Sequence, residues 1–333
     1  MFTKTIKPTD NPRSINNQSA AGSPLAVIDI GSNSVRIRIS DGQNVLYRQT
    51  ITTQLSKDIN DGMLAYSSVN RTLDGLSQLF SAAEKFKAKV HAFATAAVRN
   101  SKNGKDFTKL VRDKFGVEID VVSGEKESEL GIIGALGSAD GIVLDVGGAS
   151  SEIAVQQSGN IVYKHSLPLG AVTLTDLTTG AATCSAPDDL TISAAPDGLT
   201  ICDCAKNYEK SAGIVKRMIE EYGKVPCGST LYLIGGTATS LAFMLYGDRE
   251  YDREKNHGRI IYRDRLEELT RKLFVLDKQD IITEYRIKPK RADIIHSGAV
   301  IILSVMEYLG KTSAVVSEND NLEGYAKFYE KQA

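Results

Sequence analysis

Two short loops carry residue types that suit phosphate. Residues 29–34 read DIGSNS and residues 145–152 read DVGGASSE. In each, an aspartate stands at the end of an apolar run, a glycine follows, and small hydroxyl or amide side chains come next. Without a Cβ, glycine lets backbone N–H groups approach an anion closely. Taken alone, the first loop reads equally as a hairpin turn satisfied by its own Ser and Asn. The second adds the adjacent Gly147 and Gly148 and a further carboxylate, Glu152. Asp145 and Glu152 together suit a hard cation, because Mg2+ takes few protein carboxylates, keeps several waters and bridges to substrate phosphate oxygens.

A third glycine segment, LIGGTATSL from Leu233, places Gly235, Gly236 and Thr237 where a strand passes into a helix. Free N–H groups there would hold phosphate, or Thr237 would cap the helix. There is no GxxxxGK[ST], so the chain is not a P-loop protein. From Arg249 to Arg291, thirteen Lys and Arg face nine acids, with Arg286, Lys288, Lys290 and Arg291 clustered about Pro289. That run reads as a solvated face or as a track for a polyanion.

Positioning these loops requires strands. LAVIDI from Leu25 is an apolar run of strand length, and Val35, Ile37 and Ile39 then alternate with polar neighbours, which predicts a second strand with one buried face. GIVLDVGGASSEIAV repeats the plan 116 residues later, with Asp29 and Asp145 as matching points. Duplication of an α/β half would bring the two glycine turns face to face across a cleft. Between the repeats the pattern predicts a helix over Val69–Lys87, a strand over VHAFATAAV, and helices over Phe107–Phe115 and Glu125–Leu136. On the last of these, Glu127, Gly131 and Gly134 share a face that allows close approach to a neighbour. Residues 178–207 read as a long irregular loop, Tyr208–Glu221 as helix, LYLIGG as strand, Ala238 onward as helix, and the segment from Asp264 as mainly helical.

Bulk properties narrow the partners. The length of 333 residues fits two domains, and a formal charge of -1 shows no global bias toward nucleic acid or an anionic membrane. No apolar run reaches the roughly 18 residues needed to span a bilayer. Residues 1–23 are polar without the apolar centre of a secretory signal, which predicts a disordered leader. Cys184, Cys202, Cys204 and Cys227, in a long chain without such a signal, point to free thiols in a reducing cytoplasm and to no assigned role.

Six more segments extend the pattern: ATAAVRNSKNG from Ala94, VVSGEKES from Val121, SLPLGAVTLTD from Ser166, LIGGTATSLAF from Leu233, NHGRIIYRDRLEEL from Asn256 and KRADIIHSGAVIIL from Lys290. In order and spacing these closely resemble the Ppx/GppA family of exopolyphosphatases and guanosine pentaphosphate phosphohydrolases, over about Leu25 to Ala326. The resemblance implies an α/β fold of two actin-like, ribonuclease H-like domains of the sugar kinase, Hsp70 and actin superfamily. Residues 24–139 with about 319–333 would form one domain, and 140–318 the other.

By that resemblance Asp145 and Glu152 would hold Mg2+, with Mn2+ as a substitute and Asp29 as an additional candidate. Gly31, Ser32, Asn33, Ser34, Arg99, Gly147, Gly148, Ser150, Gly235, Gly236 and Thr237 would contact phosphate, and Glu127 would be the catalytic base. A carboxylate opposite the leaving group can orient water and take its proton, and an arginine such as Arg99 can grip phosphate with two parallel N–H bonds. Two departures stand out: Ala149 replaces a usual glycine, and Lys126, which adds a positive charge beside the base, replaces a usual acid. The implied reaction is Mg2+-assisted release of orthophosphate from inorganic polyphosphate, preferred because the chain stops near the actin-like core. Hydrolysis of pppGpp is the alternative. An actin-like kinase or ATPase, and a non-catalytic nucleotide or polyphosphate sensor, are readings of other classes. The resemblance leaves room for a homodimer.

Overall fold

The computed structural model describes residues 23–42, 44–179 and 201–330, with backbone only over 201–206. The expected leader up to residue 22, Cys184 and the thiols of Cys202 and Cys204 lie outside the described residues.

The chain opens with an antiparallel meander of β1 (Leu25–Ile30), β2 (Ser34–Ser40) and β3 (Val45–Thr52). Helix α1 (Tyr66–Lys85) buries Val69, Thr72, Leu76, Leu79 and Ala83, one stripe at helical spacing. Next come β4 (Lys89–Ala94), α2 (Ala96–Arg99), α3 (Gly104–Phe115), β5 (Ile119–Val121) and α4 (Gly124–Ala135). The strand predicted over VHAFATAAV stops at Ala94, and small-residue α2 takes its end. In the sheet the order is β3-β2-β1-β4-β5, with β4 parallel to β1.

The plan recurs in β6 (Gly141–Val146), β7 (Ser151–Gln157) and β8 (Asn160–Leu167), followed by α5 (Ala171–Thr179), α6 (Ile201–Ile219), β9 (Leu231–Ile234) and α7 (Gly235–Tyr246). Short α8 (Arg253–Asn256) and β10 (Ile260–Tyr262) precede α9 (Arg263–Val275), α10 (Lys278–Tyr285), α11 (Pro289–Ala292), α12 (Ile295–Tyr308), β11 (Ser313–Val316) and α13 (Asn321–Glu330). This sheet runs β10-β11-β9-β6-β7-β8. Read from β8 through β11, its order is that of the first sheet, with β10 added at the edge.

Two expectations need correction, and a third, the mainly helical end of the chain, holds with one exception. The loop predicted over 178–207 is helical at both described ends, within α5 and α6. Helix α7 starts at Gly235 rather than Ala238, because the two glycines form its first turn. The segment after Asp264 includes β11, whose four residues SAVV are too few to show a period.

Each sheet has its own core, one under α1 and α3, the other enclosed by α5, α6, α7, α9 and α12. Between the sheets lie α4 and α13. Leu130 packs with Val27, Phe93, Leu322 and Tyr325, while Ile132 packs with Val143, Ala154 and Ile234. The glycine face of α4 allows this: a Cβ on Gly134 would strike the Asp320 carbonyl, and one on Gly324 the Leu130 carbonyl. Among the described residues no helix is long and apolar enough to cross a membrane.

Candidate active site

The two glycine turns have one geometry. Gly31 N–H donates to Ser34 O at 3.0 Å, and Gly147 N–H to Ser150 O at 3.0 Å. Antiparallel register sets Asp29 opposite Arg36, and Asp145 opposite Glu152. The turns abut, since a Cβ on Gly148 would lie 3.0 Å from Ser32 Cβ and 3.5 Å from Asn33 N. Their carbonyls are occupied from behind. Ser56 N–H donates to Ser32 O at 3.0 Å, Gln54 N–H to Asn33 O at 2.9 Å, and Val172 N–H to Gly148 O at 2.8 Å. The N–H groups of Ser32, Asn33 and Gly148 find no acceptor among the described residues, and all three residues line a cavity of about 570 Å3 between the sheets. An anion is the partner such donors suit.

Gly31, Ser34, Gly147, Ser150, Gly235, Gly236 and Thr237 line the same cavity. Gly235 has a φ of +80°, and a Cβ there would strike Asp145 Oδ1. Thr237 does not cap α7: its hydroxyl donates to Val146 O at 2.8 Å, and Ile234 is the N-cap residue with no side-chain bond. This ties α7 to the Asp145 strand and leaves the helix's first N–H groups toward the cavity.

Glu127 lies in the first turn of α4, capped by Ser123, which accepts from Lys126 N–H at 3.1 Å. Its carboxylate is buried but lines the cavity. Burial and then the neighbouring Glu152 push it well above the usual carboxylate range, while Arg99 opposes that shift. Arg99 Nη1 donates to Glu127 Oε2 at 2.9 Å and to Val122 O at 2.8 Å. Arg99 is not among the residues that line the cavity, and its guanidinium is turned to the Glu127 carboxylate. Lys126 turns away from Glu127, meeting Glu129 at 3.1 Å and standing 4.6 Å over the Phe328 ring. The positive charge expected beside the base is therefore directed elsewhere.

Asp145 is pushed up to about 8 by burial and by Glu152, Asp320 and Asp29, with Arg36 opposing. Asn321 Nδ2 donates to its Oδ2 at 2.8 Å. Glu152, below the cavity, accepts from Ser166 Oγ at 2.7 Å, and burial raises its pKa as well. The donor set fits a hard divalent cation: closely placed carboxylates raise one another's pKa, and Asp29 Oδ1 is a buried oxygen without a partner. Among the described residues no three acidic, His or Cys side chains enclose an ion alone, so solvent and substrate oxygens would complete the shell.

Arg36, Asp320 and Asn321 form part of the site without having been singled out in sequence. Arg36 Nε donates to Asp29 Oδ2 at 2.8 Å, and its guanidinium also pairs with Asp320. Burial alone would raise Asp320, yet Arg36 holds it below the usual range. A readable signal was present in residues 320–323, DNLE. Asp320 accepts from Leu322 N–H at 2.9 Å, and Glu323 accepts from Asp320 N–H at 3.1 Å, a reciprocal cap that starts α13 beneath Asp145. The cationic run divides: Arg286, Lys288 and Arg291 line the cavity, whereas Lys290 donates to Thr52 O across the cleft at 2.9 Å.

Two like-ordered α/β halves with matched glycine turns around one cleft make an actin-like architecture. A family model described as the Ppx/GppA phosphatase family matches residues 35–182. The chain is 26% identical to exopolyphosphatase 2 of Mycobacterium tuberculosis over 333 residues, which covers 91% of this chain and 97% of that protein. It is 28% identical over 322 residues to the bifunctional 3-dehydroquinate synthase/phosphatase of Fusobacterium nucleatum, covering 90% of this chain but only 45% of that relative. A crystal structure of an exopolyphosphatase-like protein superposes with a TM-score of 0.80 at 22% identity, covering 93% of this chain and 99% of that one. The family model thus matches part of the chain, while relatives named exopolyphosphatase and solved Ppx/GppA structures are similar to it over about nine-tenths of its length.

Proposed function

We propose that this protein hydrolyses the terminal phosphoric anhydride bond of inorganic polyphosphate, releasing orthophosphate. The observation that carries this reading is the abutment of the two glycine turns, with acceptor-free N–H groups beside the buried carboxylate of Glu127. Ser32, Asn33 and Gly148 bind the terminal phosphate through backbone N–H groups, and the start of α7 holds the next one. Glu127 accepts a proton from water as its oxygen attacks phosphorus. The bond from phosphorus to the bridging oxygen breaks, and that oxygen leaves with the shortened chain. Asp145 and Glu152, directly or through water, would hold Mg2+, or Mn2+ in its place, which when bound neutralises charge on phosphate oxygens. Arg99 keeps the Glu127 carboxylate aimed and favours its ionised form.

Hydrolysis of pppGpp is the second reading, favoured by Phe243, Tyr251 and Ile287 in the cavity wall, an apolar surface on which a purine would rest. Purified protein with Mg2+ should release orthophosphate from long-chain polyphosphate, tripolyphosphate or pppGpp, and ATP serves as the control for the kinase and ATPase readings. Glu127→Gln should lower kcat by roughly 10²–10⁴-fold while tripolyphosphate binding persists. Orthophosphate release at an unchanged rate in both Glu127→Gln and Asp145→Asn would sink the assignment. Tight binding without release from any substrate would instead favour a sensor.

A further inference from the structure

Among the non-glycine residues of the cavity lining, Arg286 alone combines a left-handed backbone with a charged side chain, at φ +54° and ψ +30°. It stands just past the end of α10, where its N–H donates to Ile282 O at 2.9 Å. That position favours glycine, which meets no Cβ clash there. A long cation held in such a conformation points to use of the side chain.

Its neighbours fix where the charge goes. Ile287 is buried in the second domain's core, and Lys288 is extended before Pro289, the first residue of α11. Lys290, bonded to Thr52 O, ties the segment across the cleft. Arg286 and Lys288 are both exposed, both line the cavity, and neither makes an ion pair with a carboxylate among the described residues. Three other cavity cations are paired, Arg36 with Asp29 and Asp320, Arg48 with Glu323, and Arg253 with Glu318 and Glu323, whereas Arg249 and Arg291, the latter packed beside Gly236, share with Arg286 and Lys288 the lack of an ion pair among the described residues. Unpaired charge on the wall therefore comes from Arg249, Arg291 and the Arg286–Lys288 segment, and of these Arg286 alone carries it on a left-handed backbone.

We propose that Arg286, assisted by Lys288, binds the part of the substrate beyond the cleaved phosphate and so selects substrates with three or more linked phosphates over pyrophosphate. This deepens the polyphosphatase reading and rests on it. Two variants separate charge from backbone: Arg286→Gly removes the cation and the left-handed strain, and Arg286→Lys keeps the charge without the planar fork. KM for tripolyphosphate should rise roughly tenfold to a hundredfold in Arg286→Gly, as expected for a lost charge-assisted contact. The loss should fall on KM rather than kcat, Tm should hold or rise, Arg286→Lys should lie between, and the ratio of kcat/KM for tripolyphosphate over pyrophosphate should fall. An unchanged KM and ratio in Arg286→Gly, with hydrolysis intact, would overturn the subsite and leave the polyphosphatase reading standing. Calorimetric binding of tripolyphosphate separates the other case. Binding that weakens in Arg286→Gly, in a protein that hydrolyses no polyphosphate, keeps the subsite and removes the reaction.

Discussion

Arg99 would tune Glu127, the proposed proton acceptor. Burial and Glu152 raise the Glu127 pKa, and Arg99 opposes them. Because the base works only when ionised, activity is lost as pH falls through its raised pKa. Arg99→Gln removes the opposing charge, so the acidic limb of the kcat/KM profile should move to higher pH. A limb that stays in place, or moves lower, would contradict the positioning role. At this scale the sequence was legible in part. The paired carboxylates and glycines could be reasoned from chemistry, but Glu127 could be told from Glu125 and Glu129 only by family resemblance. Burial makes the distinction, since Glu127 is 6% exposed and the side chain of Glu125 69%. Arg36 was hidden because its partners, Asp29 and Asp320, lie 7 and 284 residues away.

Helices α4 and α13 deliver the side chains that the strands do not. Glu127 comes from one and Asn321 from the other, and their spacing depends on Gly131, Gly134 and Gly324. Glu127, Gly131 and Gly134 were legible as one face through helical periodicity, but the partner was not, since Gly324 lies far along the chain. Gly324→Ala would drive a methyl into the Leu130 carbonyl, a backbone atom that cannot swing aside. Overpacking of this kind should lower unfolding free energy by about 1–3 kcal/mol, measured by denaturant titration, with loss of activity at temperatures where the fold survives. An unchanged midpoint with full activity would show that the helices can part without disturbing the site. β11 escaped sequence reading because four residues carry no measurable period, yet it completes the repeated strand order and leads into Asp320.

Across the whole molecule, the 116-residue repeat was the most legible feature, because equal spacing brought both turns and both strand registers into correspondence. Less legible were the ties that close the cleft: Arg36 to Asp320, Asn321 to Asp145 and Lys290 to Thr52. Each joins segments distant in sequence, so no local pattern announces it. The same closure gives the central claim, that one phosphate is held by loops from both halves at once. A crystal structure of Glu127→Gln with tripolyphosphate and Mg2+ tests it directly. The terminal phosphate should accept hydrogen bonds from Ser32 or Asn33 N–H and from Gly148 N–H together, with the substituted amide side chain at position 127 opposite the leaving oxygen. A phosphate chain held by one turn alone, or bound away from both, would contradict the account.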